Sequence, residues 1–496
     1  MNIIKNYLKN RNPEVTLFFG YLSYTVIGTI LLSIAIFRIV PISFVDNLFI
    51  AVSAISTTGL ATINVSSSYS LLGQIVILLL IQLGGIGYMT FGSFIILSVK
   101  QNIKPDREHI HKTAFSLPKE FVISKFIRSI VIYTMVIELI GAILLYFAFA
   151  SDGRANPVWS AIFHSVSSFC TAGFSLYANS FESYANVSYL NFVVFMLSVL
   201  GAVGYIVMVD FWLVVRGKKE GITFTSKVII NTTLILLTFG TLFLWIESVM
   251  HPGGGIERES GLLKSFFQSM TALTTVGFNT VPINSLKSSS LFILTILMII
   301  GASPSGTGGG IKSTTLSAMF GILGSVFSSN KEFVNYKVKR EKKQLHSHEA
   351  KKGGLLRIFS PAKPEVGTEE VLEKYDDLDS IFGEVFKIKL MKRTIPYDRV
   401  IHAVASFSFY FLILTFGILA LLSSESFSYQ DIFFESASAL GTVGLSTGIT
   451  SSLSIFGKYI VILLMFIGRI GPITFGVVLL NRRKPRVHKE YEDIVI

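Results

Sequence analysis

The chain has 496 residues, 51% of them hydrophobic, and a mean hydropathy of +0.61. That composition excludes an ordinary soluble enzyme and marks an integral membrane protein. The formal net charge of +12 is not a nucleic-acid footprint, because the basic residues gather in the polar segments outside the apolar runs, where they report topology.

In chain order, a polar start with Lys5, Lys9 and Arg11 leads into an apolar run near 16–38. That run reaches the spanning length of about 20 residues, so the start does not read as a cleavable signal peptide. A half-length run, NLFIAVSAIS at 47–56, is too short to span; Thr57, Thr58 and Gly59 follow it, and then a longer run near 71–97. The same order returns three times. Runs near 127–149 and 189–215 flank Thr171, Ala172 and Gly173. Runs near 227–249 and 290–323 flank LTTVGFN at 273–279, with Thr275, Val276 and Gly277, and runs near 400–422 and 457–480 flank Thr442, Val443 and Gly444.

Superposing the four glycines aligns more than the glycines. A threonine stands two residues before each, a hydroxyl residue six before (Ser53, Ser167, Thr271, Ser438) and a phenylalanine ten before (Phe49, Phe163, Phe267, Phe434). Agreement at four offsets in four places is an internal repeat. The half-length runs fit re-entrant helices, which a bilayer tolerates only where the descending backbone is buried or lines water. Glycine admits conformations that let successive carbonyls face one way, threonine adds a hydroxyl oxygen, and a ring of such oxygens can replace the hydration shell of potassium. The predicted fold is an all-α membrane protein of four pseudo-repeats, each a helix, a re-entrant pore helix with its filter loop, and a second helix. Eight transmembrane helices then surround one pore.

Segments carrying the filters hold few basic residues: none between Pro41 and Gly73, then Arg154, Arg258, Lys264, Lys287 and Lys458. The loop after the second helix has Lys100, Lys104, Arg107, Lys112, Lys119 and Lys125, and the tail has Arg482, Arg483, Lys484, Arg486 and Lys489. The positive-inside rule puts both termini in the cytoplasm and the filters outside. Gly59 to Gly173 is 114 residues, Gly173 to Gly277 is 104 and Gly277 to Gly444 is 167, an excess of roughly 58 in the last interval. The excess falls in a polar stretch at 330–395, with KVKREKK at 337–343 and EEVLEKYDDLD at 369–379, which reads as a cytoplasmic linker or docking segment. The expected organisation is repeat 1 over 1–97, repeat 2 over 98–215, repeat 3 over 216–329, the insertion at 330–395, repeat 4 over 396–481 and a cytoplasmic tail at 482–496.

Each second helix carries a glycine at matching depth, Gly84, Gly201, Gly301 and Gly468, and the helical pattern continues through it except in repeat 3. There the stretch IGASPSGTGGGIKST at 300–314 runs through Gly301, Ala302, Ser303, Pro304, Ser305, Gly306, Thr307, Gly308, Gly309 and Gly310, too rich in glycine and proline for a regular helix. Non-helical backbone at membrane depth must be buried in protein or line water, so directly below four filters it reads as a gate. Arg469, mid-helix in repeat 4 at the same level, reads as a cation that hydrogen-bonds the loop carbonyls and adds an electrostatic barrier. A phosphate-binding loop is excluded, since Ile311 stands where that motif needs glycine before Lys312, and a membrane helix precedes it instead of a strand. Asp210 and Lys312 read as two independent interfacial charges, and Glu138 carries no assigned role. The lone Cys170 permits no intrachain disulfide; it either fills space beside Gly173 or lines the pore.

These residues resemble the Trk/Ktr/HKT superfamily of potassium transporters over nearly the whole chain except the insertion. The most specific marks are the four filter glycines, the 300–314 stretch and GRIGP at 468–472. The chain looks like the Ktr-type membrane subunit: no room precedes residue 16 for the two further N-terminal helices usual in the Trk type, and YEDIVI at 491–496 fits the Ktr ending. The resemblance implies potassium uptake, often stimulated by sodium, with potassium held at the filter only and neither catalysis nor a cofactor in this chain. It also implies a homodimer in the cell membrane, each protomer with its own pore, seated on a cytosolic ring of nucleotide-binding RCK subunits. The insertion departs from the usual short connection on the face where that ring docks. Two alternatives stand beside this reading. One is the potassium-translocating subunit of an ATP-driven pump, which is generally longer; the other is a sodium-permeable relative, in which serine commonly replaces the first filter glycine, here Gly59.

Overall fold

The computed structural model of the chain describes residues 13–87, 123–153, 156–251, 255–256, 261–325, 327, 389–391 and 393–479. The chain divides into two compact units, residues 1–314 with 408–496, and residues 315–407.

In the first unit a long helix, a half-length helix and a third helix follow one another four times. The first set is α1 (Pro13–Ser33), α2 (Phe44–Ile55) and α3 (Leu71–Ile86). The second is α4 (Ile123–Ser151), α5 (Pro157–Phe169) and α6 (Ser188–Val203), continued after a 99° bend by α7 (Tyr205–Val215). The third is α8 (Phe224–Met250), α9 (Gly261–Thr274) and α10 (Ser288–Ile300). The fourth is α11 (Tyr397–Ser424), which begins in the second unit, then α12 (Tyr429–Gly441), α13 (Ile455–Ile470) and α14 (Pro472–Leu479).

Local chemistry starts the half-length helices. The Ser43 hydroxyl accepts the Asp46 amide at 3.1 Å and donates to its carboxylate, and Ser428 does the same to Asp431 at 3.2 Å. Pro157 opens α5, where a missing N–H costs nothing. The phenylalanines ten residues before each glycine, Phe49, Phe163, Phe267 and Phe434, are all buried.

Helices α1, α4, α8 and α11 are long and apolar enough to cross a membrane, and they expose large apolar side chains such as Ile30, Leu139, Ile235 and Phe416. Apolar faces of that extent suit lipid, so the chain is a multi-pass membrane protein. The sequence predicts a break in the second helix of repeat 3 alone, but each second helix stops early at a glycine. These are Gly87 (φ 85°), Gly204 (φ 91°), Gly301 (φ 66°) and Gly471 (φ 94°), a left-handed backbone that ends a helix and that glycine adopts without strain.

Gly301 therefore corresponds to Gly87, Gly204 and Gly471. Its predicted counterparts Gly84, Gly201 and Gly468 lie inside their helices, where a Cβ would strike the carbonyl oxygens of Ile55, Phe169 and Leu440. They let each helix rest directly on the end of its half-length helix. The three-residue difference arises because α10 has 13 residues where α3, α6 and α13 have 16.

The third helix of each set also packs on the half-length helix of the next: α3 on α5, α6 on α9, α10 on α12, and α13 back on α2. Polar contacts pin these seams. Trp159 Nε1 donates to Gln74 Oε1 at 2.7 Å, Ser288 Oγ to Gln430 Oε1 at 2.9 Å, and Lys458 pairs with Asp46 at 2.7 Å. The last seam joins the fourth set to the first, so the four sets close into a ring.

Within the second unit, residues 315–325 are helical, and Lys389–Leu390 pairs antiparallel with Arg393–Thr394, Lys389 opposite Thr394. Apart from this hairpin the predicted insertion lies outside the described residues, as do the tail at 482–496 and the basic stretch at 100–119.

Candidate functional site

Four Thr-x-Gly segments meet at the centre of the ring. Thr57, Thr171, Thr275 and Thr442 have φ of 52°, 51°, 58° and 49°, and Gly59, Gly173, Gly277 and Gly444 have 91°, 65°, 83° and 96°. A left-handed threonine costs about 1–2 kcal/mol, and here the same cost recurs four times. Hydrogen bonds hold the conformation. The amides of Thr58, Ala172, Val276 and Val443 reach back to the carbonyls of Ser53, Ser167, Thr271 and Ser438 at 2.8–3.1 Å. The Ser53 and Ser438 hydroxyls accept the Gly59 and Gly444 amides at 3.1 Å, which gives the hydroxyl six residues before the glycine its role in repeats 1 and 4. In repeat 2, Ser167 donates instead to the Phe174 carbonyl at 2.9 Å.

The glycines contact one another in a closed cycle. A Cβ on Gly59 would lie 3.1 Å from Gly173 Cα, one on Gly173 3.2 Å from Gly277 Cα, one on Gly277 3.0 Å from Gly444 Cα, and one on Gly444 3.2 Å from Gly59 Cα. The same four positions press on the carbonyl oxygens of Ala172, Val276, Val443 and Thr58. Positive φ at alternate residues is a backbone in which successive carbonyls can face one way. A cavity of about 240 Å³ adjoins the glycine cycle, with Ala61, Asn279, Gly444, Ser446 and Thr450 in its wall.

The predicted loop lies against the threonines. Thr57 Oγ1 donates to the Thr307 carbonyl at 3.4 Å, Thr171 Oγ1 lies 3.0 Å from Thr307 Oγ1, and Thr275 Oγ1 accepts the Gly309 amide at 3.1 Å. A Cβ on Gly309 would meet Thr442 Oγ1, so the loop touches all four repeats. Its base is closed by the Ala302 amide on the Gly309 carbonyl at 3.1 Å. Arg469 donates to the carbonyls of Thr307 and Gly84. Lys312 turns back into the loop, its Nζ 2.6 Å from the Gly308 carbonyl. Asp210 binds Lys219 at 2.6 Å instead. Cys170 is buried against Gly85, its thiol 3.5 Å from Glu138 Oε1, and Gln82 Nε2 holds the other Glu138 oxygen at 3.0 Å.

Two features escaped the sequence. Repeat 2 anchors the loop through backbone: Ser303 and Thr307 amides donate to the carbonyls of Ala202 and Gly201, both at 3.1 Å, and the Tyr205 amide donates to Ser305 O at 3.2 Å. Its only sequence signal is the helix-ending Gly204. The second is a polar residue directly after the repeat phenylalanine, His164, Gln268 and Glu435, bonded to the segment beyond the glycine. The offset, nine before the glycine, is constant, but the residue types differ.

A family model described as TrkH: Cation transport protein matches residues 7–485. The chain belongs to this family. As a TrkH-family cation transporter it is not an enzyme, and within the family it is of Ktr type. It is 29% identical to Ktr system potassium uptake protein B of Vibrio alginolyticus over 98% of this chain and 95% of that one. It is 30% identical to the protein of the same name in Bacillus subtilis (93% and 92% covered), and to the potassium/sodium uptake protein NtpJ of Enterococcus hirae over the full length of both. The fold is that of the potassium transporter TrkH of Vibrio parahaemolyticus, with a TM-score of 0.67 at 16% identity, covering 95% of this chain and 85% of that one.

Proposed function

We propose that the four Thr-x-Gly segments form a potassium selectivity filter and that the chain carries potassium into the cell through one pore per protomer. The closed cycle of glycines carries this reading: it gathers oxygens from four repeats without a side-chain charge, which is how a hydration shell is replaced. The four repeats run over 1–97, 98–215, 216–329 and 396–481, with the half-length helices as pore helices and both termini cytoplasmic. Thr57, Thr58, Gly59, Thr171, Ala172, Gly173, Thr275, Val276, Gly277, Thr442, Val443 and Gly444 bind the ion, while the loop from Gly301 to Gly310, held by Arg469, is the gate. The relatives' names support potassium as cargo, and sodium acts as activator. The working assembly is a homodimer seated on a cytosolic nucleotide-binding regulatory ring. NtpJ, a potassium/sodium uptake protein, supports a second reading in which sodium itself passes; glycine at all four positions favours potassium.

Uptake of potassium and rubidium in cells lacking their own potassium uptake, with and without sodium, tests this. Saturable potassium uptake that sodium accelerates is the expected result, and sodium uptake of equal capacity in the absence of potassium would replace the first reading by the second. Replacing residues 330–395 with a short flexible linker is expected to leave permeation intact, because the repeat arithmetic puts them outside every pore element. Abolished transport in a protein still inserted would refute that.

A further inference from the structure

We propose that His164, Gln268 and Glu435 are positioning struts that hold the lip of the filter on the side away from the loop, and that they set cation preference rather than transport capacity. The inference rests on the filter reading above. Each strut stands directly after the buried phenylalanine of its half-length helix and is itself fully buried. Each reaches the segment two to six residues beyond the glycine. His164 Nε2 accepts the Leu176 amide at 3.3 Å and lies 3.0 Å from Ser175 Oγ, so its ring proton sits on Nδ1, 2.8 Å from the Ser160 carbonyl. Gln268 Nε2 donates to Thr280 Oγ1 at 3.3 Å. Glu435 accepts the Ser446 hydroxyl at 2.8 Å and the Thr450 hydroxyl. The far ends are tied in turn, the Tyr177 amide donating to Ser175 Oγ and the Gly448 amide to Ser446 Oγ, both at 3.0 Å.

Repeat 1 differs in both partners at once. Ile50 stands nine residues before Gly59 and Ala61 two after it. Polar thus meets polar in repeats 2 and 4, and apolar accompanies apolar in repeat 1, as expected where an unmatched buried polar group is costly. The residues after each glycine are its direct continuation, so holding them holds the glycine's own carbonyl. A strut that anchors them limits how far the ring can contract, and contraction is what a smaller cation requires. His164, Gln268 and Glu435 are fully buried and none lines the cavity beside the ring, so their removal alters affinity and preference before capacity.

The test measures half-saturating potassium, potassium-over-sodium preference and maximal uptake per inserted protein in the full chain. The variants are Ser175→Ala, Thr280→Ala, His164→Ile and the pair His164→Ile/Ser175→Ala, with Gly59→Ser beside them. Each single strut variant is expected to raise half-saturating potassium about three- to tenfold, the equivalent of one lost hydrogen bond, and to lower preference, with maximal uptake held within about twofold. The pair is expected to fall short of the sum of the two single effects, because both changes remove the same strut. Thr280→Ala removes only the far end of a strut, and Ser175→Ala removes the far end together with its tie to the Tyr177 amide; the two decide the matter should His164→Ile not insert. Unchanged affinity and preference in both, or additive effects in the pair, overturns the inference. If Gly59→Ser still lowers preference, the struts alone are refuted; if it does not, the filter reading falls with them.

Discussion

Replacing Gly59 with serine is expected to raise the potassium concentration for half-maximal uptake by about tenfold or more and to erode discrimination against sodium. Two costs combine. Gly59 has φ 91°, where a side chain costs about 1–2 kcal/mol. Its Cβ would also land on the Ala172 carbonyl oxygen and 3.1 Å from Gly173 Cα, both backbone atoms that cannot turn aside. The ring is closed, so displacing Ala172 shifts Gly173, where Val276 O leaves no room even for a Cβ. One substitution therefore disturbs more than one quarter of the oxygens. Rubidium-tracer uptake against external potassium, with sodium as competitor, measures the effect. Unchanged affinity and unchanged sodium exclusion in an inserted Gly59→Ser protein would remove the filter assignment.

Removing the loop or its arginine is expected to act on capacity instead. Arg469 donates to two carbonyls, Thr307 in the loop and Gly84 in repeat 1, and so ties the loop to repeats 4 and 1 in addition to its repeat 2 anchors. Bonds from a charged donor contribute roughly 1.5–3 kcal/mol each; losing one shifts a closed-to-open ratio about tenfold or more. Arg469→Ala is expected to raise maximal uptake, and deletion of Ser303 to Gly308 more strongly, since it also removes the bonds to Gly201, Ala202 and Tyr205. Gly301 and Gly310 lie back to back, so the cut ends are already close. Selectivity stays with the glycines above. Both proteins must first be shown in the membrane; maximal uptake no higher than that of the unmodified chain would make the loop a structural plug and put the gate elsewhere.

The fourfold repetition was legible because each repeat needs the same side-chain types at the same offsets. A buried phenylalanine, a left-handed threonine and a glycine admit few substitutes. The struts at His164, Gln268 and Glu435 were not legible, because three different side chains serve one position and Ile50 omits it. Gly301 was paired with Gly84, Gly201 and Gly468 by spacing; the shorter α10 moved it to the helix-ending position of Gly87, Gly204 and Gly471. The class, the family and the break of α10 at Gly301 were readable from residue types and spacing. That Gly59, Gly173, Gly277 and Gly444 close on one another in that order, and that repeat 2 holds the loop of repeat 3, came from the folded chain alone. Those contacts run through backbone amides, carbonyls and Cα atoms, which every residue carries, so no choice of side chain announces them.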